Sequence, residues 1–134
     1  MCSGFCVVTG MFFEIDFESG EAIYRQLCHQ IIMGIATNTL QDGDSLPSVR
    51  DMADEIGINM HTVNKAYSLL RAEGFLSVDR RRGAVVDVSS RKREALEELK
   101  EELTVVLAKA FCRQVSIEEV HSLIDELYRE YGCT

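Results

Sequence analysis

The side chains able to do chemistry in this 134-residue chain gather in two places. The first holds Asn59, His61, Thr62, Asn64 and Lys65, spaced to share the N-terminal turns and exposed side of one helix. Short donors and acceptors of this kind reach base edges and phosphates when a helix lies in a DNA groove. The second is Arg80-Arg81-Arg82, followed by Gly83, a compact basic stretch between two apolar runs. Guanidinium groups so placed neutralise backbone phosphates or enter a minor groove. A solvated surface is the ordinary alternative for a charge run, and plain exposure the alternative for His61 and Asn64. No catalytic constellation competes: His29, His61 and His121 are scattered, none at metal-ligand spacing beside an acidic partner. There is neither a Gly-rich phosphate loop nor a nucleophile with an evident base. The expectation is a protein that is not an enzyme, with no metal and no cofactor.

The first group sits in a stretch, residues 46–65, that reads as two short helices around a tight turn. Val49, Met52, Ala53 and Ile56 fall at helical spacing, and Gly57 suits the left-handed residue that ends such a helix. Ile58 packs inward, and Asn59 is a good N-cap for a helix running through Thr62, Val63, Ala66, Tyr67 and Leu70. This is the helix-turn-helix signature. Taken alone it fits an ordinary helical hairpin equally well.

The surroundings decide between them. Residues 12–17 alternate loosely as a short strand, and 18–21 form a turn with acidic residues near a helix start. A helix over about 22–38 carries Ile23, Leu27, Ile31 and Ile35 on one stripe, widened by Tyr24, Cys28 and Ile32. Residues 41–45 are a turn-rich loop, Leu46 drops into the core, and Pro47 stands where a following helix would start. Beyond the second helix of the pair, Gly74 ends it, and Phe75, Leu76 and Val78 open a strand. Residues 84–88 make another, so residues 79–83 must turn tightly, with Gly83 supplying a backbone conformation other residues resist. Helix, helix, helix, strand, basic turn, strand is a winged helix-turn-helix. An unrelated hairpin would not need consecutive arginines at its tip.

Two further amphipathic helices follow the polar joint Ser89-Ser90. One, over about 91–113, places Leu96, Leu99, Leu103, Val106, Leu107, Ala110 and Phe111 on one side. Ser116 and Glu119 form a capping box for the last, whose apolar side includes Val120, Leu123, Ile124, Leu127, Tyr128 and Tyr131. These stripes must be buried somewhere, and a second copy of the chain is the favoured partner over packing on the winged domain. The dimerisation residues expected are Leu96, Leu99, Leu103, Val106, Leu107, Phe111, Val120, Leu123, Ile124, Leu127 and Tyr128. The fold class expected is mainly α with a small β-hairpin wing (α+β). Its domains are a disordered extension or mis-assigned start at 1–10, a winged helix-turn-helix at 11–88, and a helical dimerisation tail at 91–134. A packed strand near residues 5–9 is the less favoured alternative for the extension.

The net charge of −8 argues against a binder whose whole surface is basic, so any contact with nucleic acid must be local. Apolar runs are too short to span a bilayer, and residues 1–10 lack the pattern of a signal peptide. Of the cysteines, Cys28 and Cys112 fall in expected helices as small buried apolar residues, and no CxxC occurs. The odd count of five fits a reducing cytoplasm.

Several stretches resemble the GntR family of bacterial transcription regulators: Ile23-Tyr24-Arg25-Gln26-Leu27, Gly43-Asp44-Ser45-Leu46-Pro47-Ser48-Val49-Arg50, Thr62-Val63-Asn64-Lys65-Ala66-Tyr67, and Glu73-Gly74-Phe75-Leu76. The short two-helix tail is similar to that of the YtrA-type subfamily. The resemblance implies a sequence-specific DNA-binding regulator, a repressor working as a homodimer on a palindromic operator, often near transporter genes. It places Arg50 against phosphate or a base edge, beside Asn59, His61, Thr62, Asn64, Lys65, Arg80, Arg81, Arg82 and Gly83 as the DNA-binding set. Ala22 and Asp42 stand where prolines are frequent in the family, Met60-His61 replaces a more usual Pro-Asn, and Arg81 occupies the first glycine of the usual Gly-x-Gly wing. The implied partners are operator DNA, a second copy of the chain, and a small-molecule effector of unspecified identity acting on the spacing of the recognition helices. The competing reading is a winged-helix module that binds protein and not DNA.

Overall fold

The computed structural model describes residues 3–8, 11–88 and 91–132. They form two compact units, residues 1–89 and 90–134. In the first, β1 (Ser3–Val8) pairs antiparallel with β2 (Met11–Asp16), and α1 (Ile23–Ala36), α2 (Val49–Ile56) and α3 (Met60–Ala72) follow. The hairpin of β3 (Leu76–Asp79) and β4 (Gly83–Val86) completes it. Residues 3–8 form β1, where the sequence favoured a disordered extension or mis-assigned start for 1–10 and kept a packed strand as the alternative. Phe5, Cys6, Val7 and Val8 favour strand geometry, and β2 offers them a full antiparallel register from Ser3 opposite Asp16 to Val8 opposite Met11.

Along β2, Phe13 and Ile15 are wholly buried while Glu14 and Asp16 face out, the alternation of a half-buried strand. Two glutamines of α1 close the strand's free edge. Gln26 Oε1 accepts from Asp16 N–H at 2.9 Å, and its amide donates to the carbonyls of Asp16 and Glu21. Gln30 repeats the pattern on Glu14, accepting its N–H at 2.7 Å and donating to its carbonyl. Gln26 is buried, and these bonds offset the cost of taking its amide out of water.

Leu27 and Ile31 of α1, Met52 and Ile56 of α2, and Val63, Ala66, Tyr67 and Leu70 of α3 meet Phe13, Ile15, Leu40, Leu46, Leu76 and Val86 in one core. Each fully buried aliphatic side chain of this kind contributes about 1.5–3 kcal/mol. α2 starts at Ser48, whose hydroxyl accepts from Asp51 N–H, so Pro47 lies just outside the helix. It stops at Gly57, in the left-handed region at φ 82°.

The wing has a third backbone strand in all but name. The loop before α2 runs along β4: Gly43 N–H donates to Val86 O, Val86 N–H to Asp44 O, and Leu46 N–H to Ala84 O, each at 2.8 Å. Ser45 and Val85 form a bridge within this ladder.

In the second unit, α4 (Lys92–Cys112) and α5 (Ile117–Glu130) are joined by a short turn. Ser116 and Glu119 make the expected capping box, with Ser116 Oγ accepting from Glu119 N–H at 3.1 Å and Ser116 N–H donating to Glu119 Oε2 at 2.8 Å. No residue of either helix is buried within this unit. Leu96, Leu99, Val106, Leu107, Leu123, Ile124, Leu127 and Tyr128 are exposed, and Phe111 is 82% exposed. Leu103 and Val120 are half-buried. Cys112, expected in a core, is exposed for the same reason, whereas Cys28 is buried.

Candidate nucleic-acid interface

The interface is built on the N-terminal half of α3. Asn59 caps that helix, its Oδ1 accepting from His61 N–H at 2.8 Å. The cap fixes where the helix begins and therefore which residues face outward. His61, Asn64 and Lys65 are exposed, Thr62 is half-buried, and Val63, Ala66, Tyr67 and Leu70 turn into the core. Met60 is 48% exposed at the first position of the helix. Asn59, Met60, His61 and Asn64 line one open concavity together with Val49 of α2.

Arg50 lies in the first turn of α2, exposed, and forms no ion pair among the described residues despite its acidic neighbours. The hydroxyl of Tyr67 donates to the carbonyl of Pro47 at 2.9 Å. That bond ties α3 to the segment that launches α2, so Arg50 and the recognition side chains keep a fixed relation.

Lys65 is shared between α3 and α1. Its ammonium lies 4.1 Å above the ring of Tyr24, a cation–π contact. Arg25 Nε in turn donates to the Tyr24 hydroxyl at 3.2 Å. The hydrogen bond from Arg25, with the positive charge of Arg25 and Lys65, lowers the Tyr24 hydroxyl pKa from its ordinary value. The sequence had marked Tyr24 only as part of a buried stripe; its other role required knowing that α1 crosses α3 here.

At the wing, Asp79 organises the turn. Its Oδ1 accepts from Arg81 N–H at 2.7 Å and Arg82 N–H at 3.1 Å. These two hydrogen bonds, and then the charge of Arg82, hold the carboxyl below its usual value. Gly83 takes φ 75°, the left-handed conformation that closes the hairpin. Arg80 and Arg81 are exposed at the tip. Arg82 differs: Nε donates to Ser45 Oγ at 3.2 Å, and a terminal nitrogen donates to the Gly43 carbonyl. Between wing and helix lies a cleft of about 240 Å³, with Asn64, Ser68 and Arg71 on the α3 side and Val78, Gly83 and Ala84 on the wing side.

The arrangement offers cations and short polar groups on a helix end and a hairpin tip, the parts that meet a groove and its flanking phosphates. Among the described residues no group of His, Cys, Asp and Glu is placed to hold a metal, and no helix is long and apolar enough to cross a membrane.

Comparison with known proteins agrees with this geometry. Residues 23–86 match the family model of bacterial regulatory proteins of the gntR family. The HTH-type transcriptional repressor YtrA of Bacillus subtilis (strain 168) is 32% identical over 117 residues, covering 85% of this chain and 90% of that protein. YtrA from Sulfolobus acidocaldarius, a GntR-family transcription factor of known structure, is 41% identical, covers 69% of this chain and 97% of its own, and superposes with a TM-score of 0.57. A transcriptional antiterminator from Listeria monocytogenes EGD-e superposes with a TM-score of 0.76 at 28% identity, covering 90% of this chain and 92% of its own.

Proposed function

The chain belongs to the GntR family of bacterial regulatory proteins and is a sequence-specific DNA-binding transcription regulator, and from that premise we propose that it is a homodimeric repressor of the YtrA type. Its family is one of DNA-binding regulators, not of enzymes. The single observation that carries the dimer is the row of apolar side chains left exposed on α4 and α5. Leu96, Leu99, Leu103, Val106, Leu107, Phe111, Val120, Leu123, Ile124, Leu127 and Tyr128 would be buried against the same residues of a second copy. Support for repression comes from the Bacillus relative, which carries that role in its name and is covered over nine-tenths of its length.

A two-fold dimer would present a pair of α3 helices to half-sites about 34–36 Å apart, one turn of DNA, so the operator would be palindromic. Arg50, Asn59, His61, Thr62, Asn64 and Lys65 would face the major groove, with the wing on the flanking backbone. The regulated genes would include neighbouring transport genes, and an effector would act by changing the spacing of the recognition helices.

Sedimentation tests the dimer: the wild type should sediment as a dimer, and Leu99→Asp with Leu123→Asp as a folded monomer. Retention of its own upstream DNA and in-vitro transcription test the rest, with transcript falling as protein is added. A monomeric wild type would overturn the assembly, and rising transcript would overturn repression.

A further inference from the structure

We infer that Arg82 is a positioning residue, a latch that ties the wing to the loop before α2, and that Arg80 and Arg81 carry the wing's charge to DNA. This deepens the functional reading above and rests on it for the DNA-bound half of its test.

The geometry is specific. The Arg82 side chain folds back from the hairpin tip along the outside of the neighbouring loop, giving Nε to Ser45 Oγ at 3.2 Å and a terminal nitrogen to the Gly43 carbonyl. The planar guanidinium suits this use, because its donors are fixed in one plane and can span two acceptors. The backbone that carries it is held as well, since Asp79 Oδ1 accepts the N–H of both Arg81 and Arg82. By contrast, among the described residues neither the Arg80 nor the Arg81 side chain has a hydrogen-bond or ion-pair partner, and both are exposed.

What the latch fixes is the path from wing to recognition helix. The loop it grips is the one whose backbone extends the wing through Gly43, Asp44 and Leu46. Immediately after it, the Pro47 carbonyl accepts the Tyr67 hydroxyl of α3, and Ser48 caps α2. Wing, loop, α2 and α3 are thus joined in series, and Arg82 is the side-chain link at the wing end. Without it the hairpin is held to the loop by the ladder at Ala84 and Val86 and by Asp42 at Val88, all away from the tip, and the tip gains freedom to swing relative to α3.

Two measurements on the full-length protein decide the matter. The first uses no DNA: amide hydrogen exchange at Gly43, Leu46 and Val86. The latch predicts exchange about tenfold faster in Arg82→Ala, the equivalent of about 1.4 kcal/mol, and unchanged exchange in Arg81→Ala. The second is affinity for upstream DNA across a salt series. Arg81→Ala should lower the salt slope by about 0.9, as loss of one phosphate contact does. Arg82→Ala should weaken binding by about three- to tenfold at every salt with its slope intact. Arg82→Lys keeps the charge but cannot span both acceptors, so it should bind no better than Arg82→Ala. Ser45→Ala should add less than about twofold in the Arg82→Ala background. A lowered slope in Arg82→Ala, restoration by Arg82→Lys, or loop exchange unaltered in Arg82→Ala would overturn the latch. Should the wild type retain no DNA even at low salt, the regulator reading falls, and the exchange measurement still decides the latch.

Discussion

Asn59 caps α3 through its Oδ1 and, on the proposed reading, would meet DNA through its amide nitrogen, so substitutions there should separate the two. Its Oδ1 accepts from His61 N–H at 2.8 Å, with the residue itself in an extended conformation ahead of α3. That satisfies one of the unpaired donors at the helix start and leaves the amide nitrogen able to donate to DNA. Asn59→Ala removes the cap and should cost about 1 kcal/mol, within the usual 0.5–2. For a domain of this size that lowers the melting temperature by about 4–8 °C. Asn59→Ser preserves the cap. Asn59→Asp preserves it too, and adds a negative charge at the positive end of the helix, a gain of about 0.3–1 kcal/mol. The order of stability should therefore be Asp at or above Asn, Ser close to Asn, and Ala lowest. The order of DNA affinity should differ, because on the proposed reading a carboxylate at this position would face phosphates: Asn highest and Asp lowest, the gap widening as salt is lowered. Urea unfolding at fixed protein concentration gives the first order, and fluorescence anisotropy with operator DNA gives the second. If Asn59→Asp binds as tightly as the wild type at low salt, the start of α3 does not face DNA. If Asn59→Ala unfolds at the wild-type urea midpoint, the cap contributes nothing.

Gly57→Ala places a Cβ with nothing within 4 Å of it, so the whole penalty is the left-handed backbone at φ 82°. About 1–2 kcal/mol is expected, read as a lower urea midpoint with an unchanged m-value. Asp79 should give the wing an acid-sensitive step. Its folded pKa lies below the ordinary 3.8, so its contribution is present above that value and is lost as pH falls through the folded pKa. NMR of the Arg81 and Arg82 amides should show the turn opening below about pH 4 in the wild type, and no such titration in Asp79→Asn. Cys28 should resist thiol reagents in the native protein. Burial pushes its thiol up to about 11, leaving on the order of one part in a thousand as thiolate at pH 8. Peptide mapping should find it labelled only after denaturation, and rapid native labelling would show that the α1–α3 contact opens.

Features written in short-range chemistry were legible in the sequence. Gly57, Gly74 and Gly83 mark three sharp stops, and all three take positive φ. Asn59 and Ser116 announced helix starts and cap them through their side chains. The core stripe of α3 followed from spacing alone. What escaped was non-local. The backbone pairing of residues 43–46 with β4 leaves no periodicity, because a loop's N–H and C=O groups carry no side-chain signature. Gln26 and Gln30 were visible only as polar residues on a helix, yet they close the edge of β2. β1 stood only as a less favoured alternative, because a short apolar run carries little weight without its pairing partner. Arg82 is the sharpest instance: three adjacent arginines look equivalent in a string, and in the folded hairpin one of them reaches back to Ser45.

Three of the acidic residues around the wing and its loop, at odds with a DNA-facing surface if only their charge is considered, are committed to backbone N–H groups. Asp42 Oδ1 accepts from Val88 N–H, Asp44 Oδ2 from Gln41 N–H, and Asp79 Oδ1 from Arg81 and Arg82 N–H. Tight turns need acceptors of this reach, and a carboxylate used in this way has its charge partly balanced by the dipoles it binds. The cations are treated in the opposite manner. Among the described residues the ion pairs are His29 with Glu21, Arg91 with Glu94 and Arg93 with Glu97, none of them involving Arg50, Lys65, Arg80 or Arg81. Acids thus hold the wing and its loop in shape, while Arg50, Lys65, Arg80 and Arg81 form no ion pair among the described residues, which on the proposed reading would leave their charge for DNA. A surface of that design would attract the phosphate backbone only where cations and backbone coincide in space, so local placement of charge, and not its sum, would govern the electrostatic part of binding.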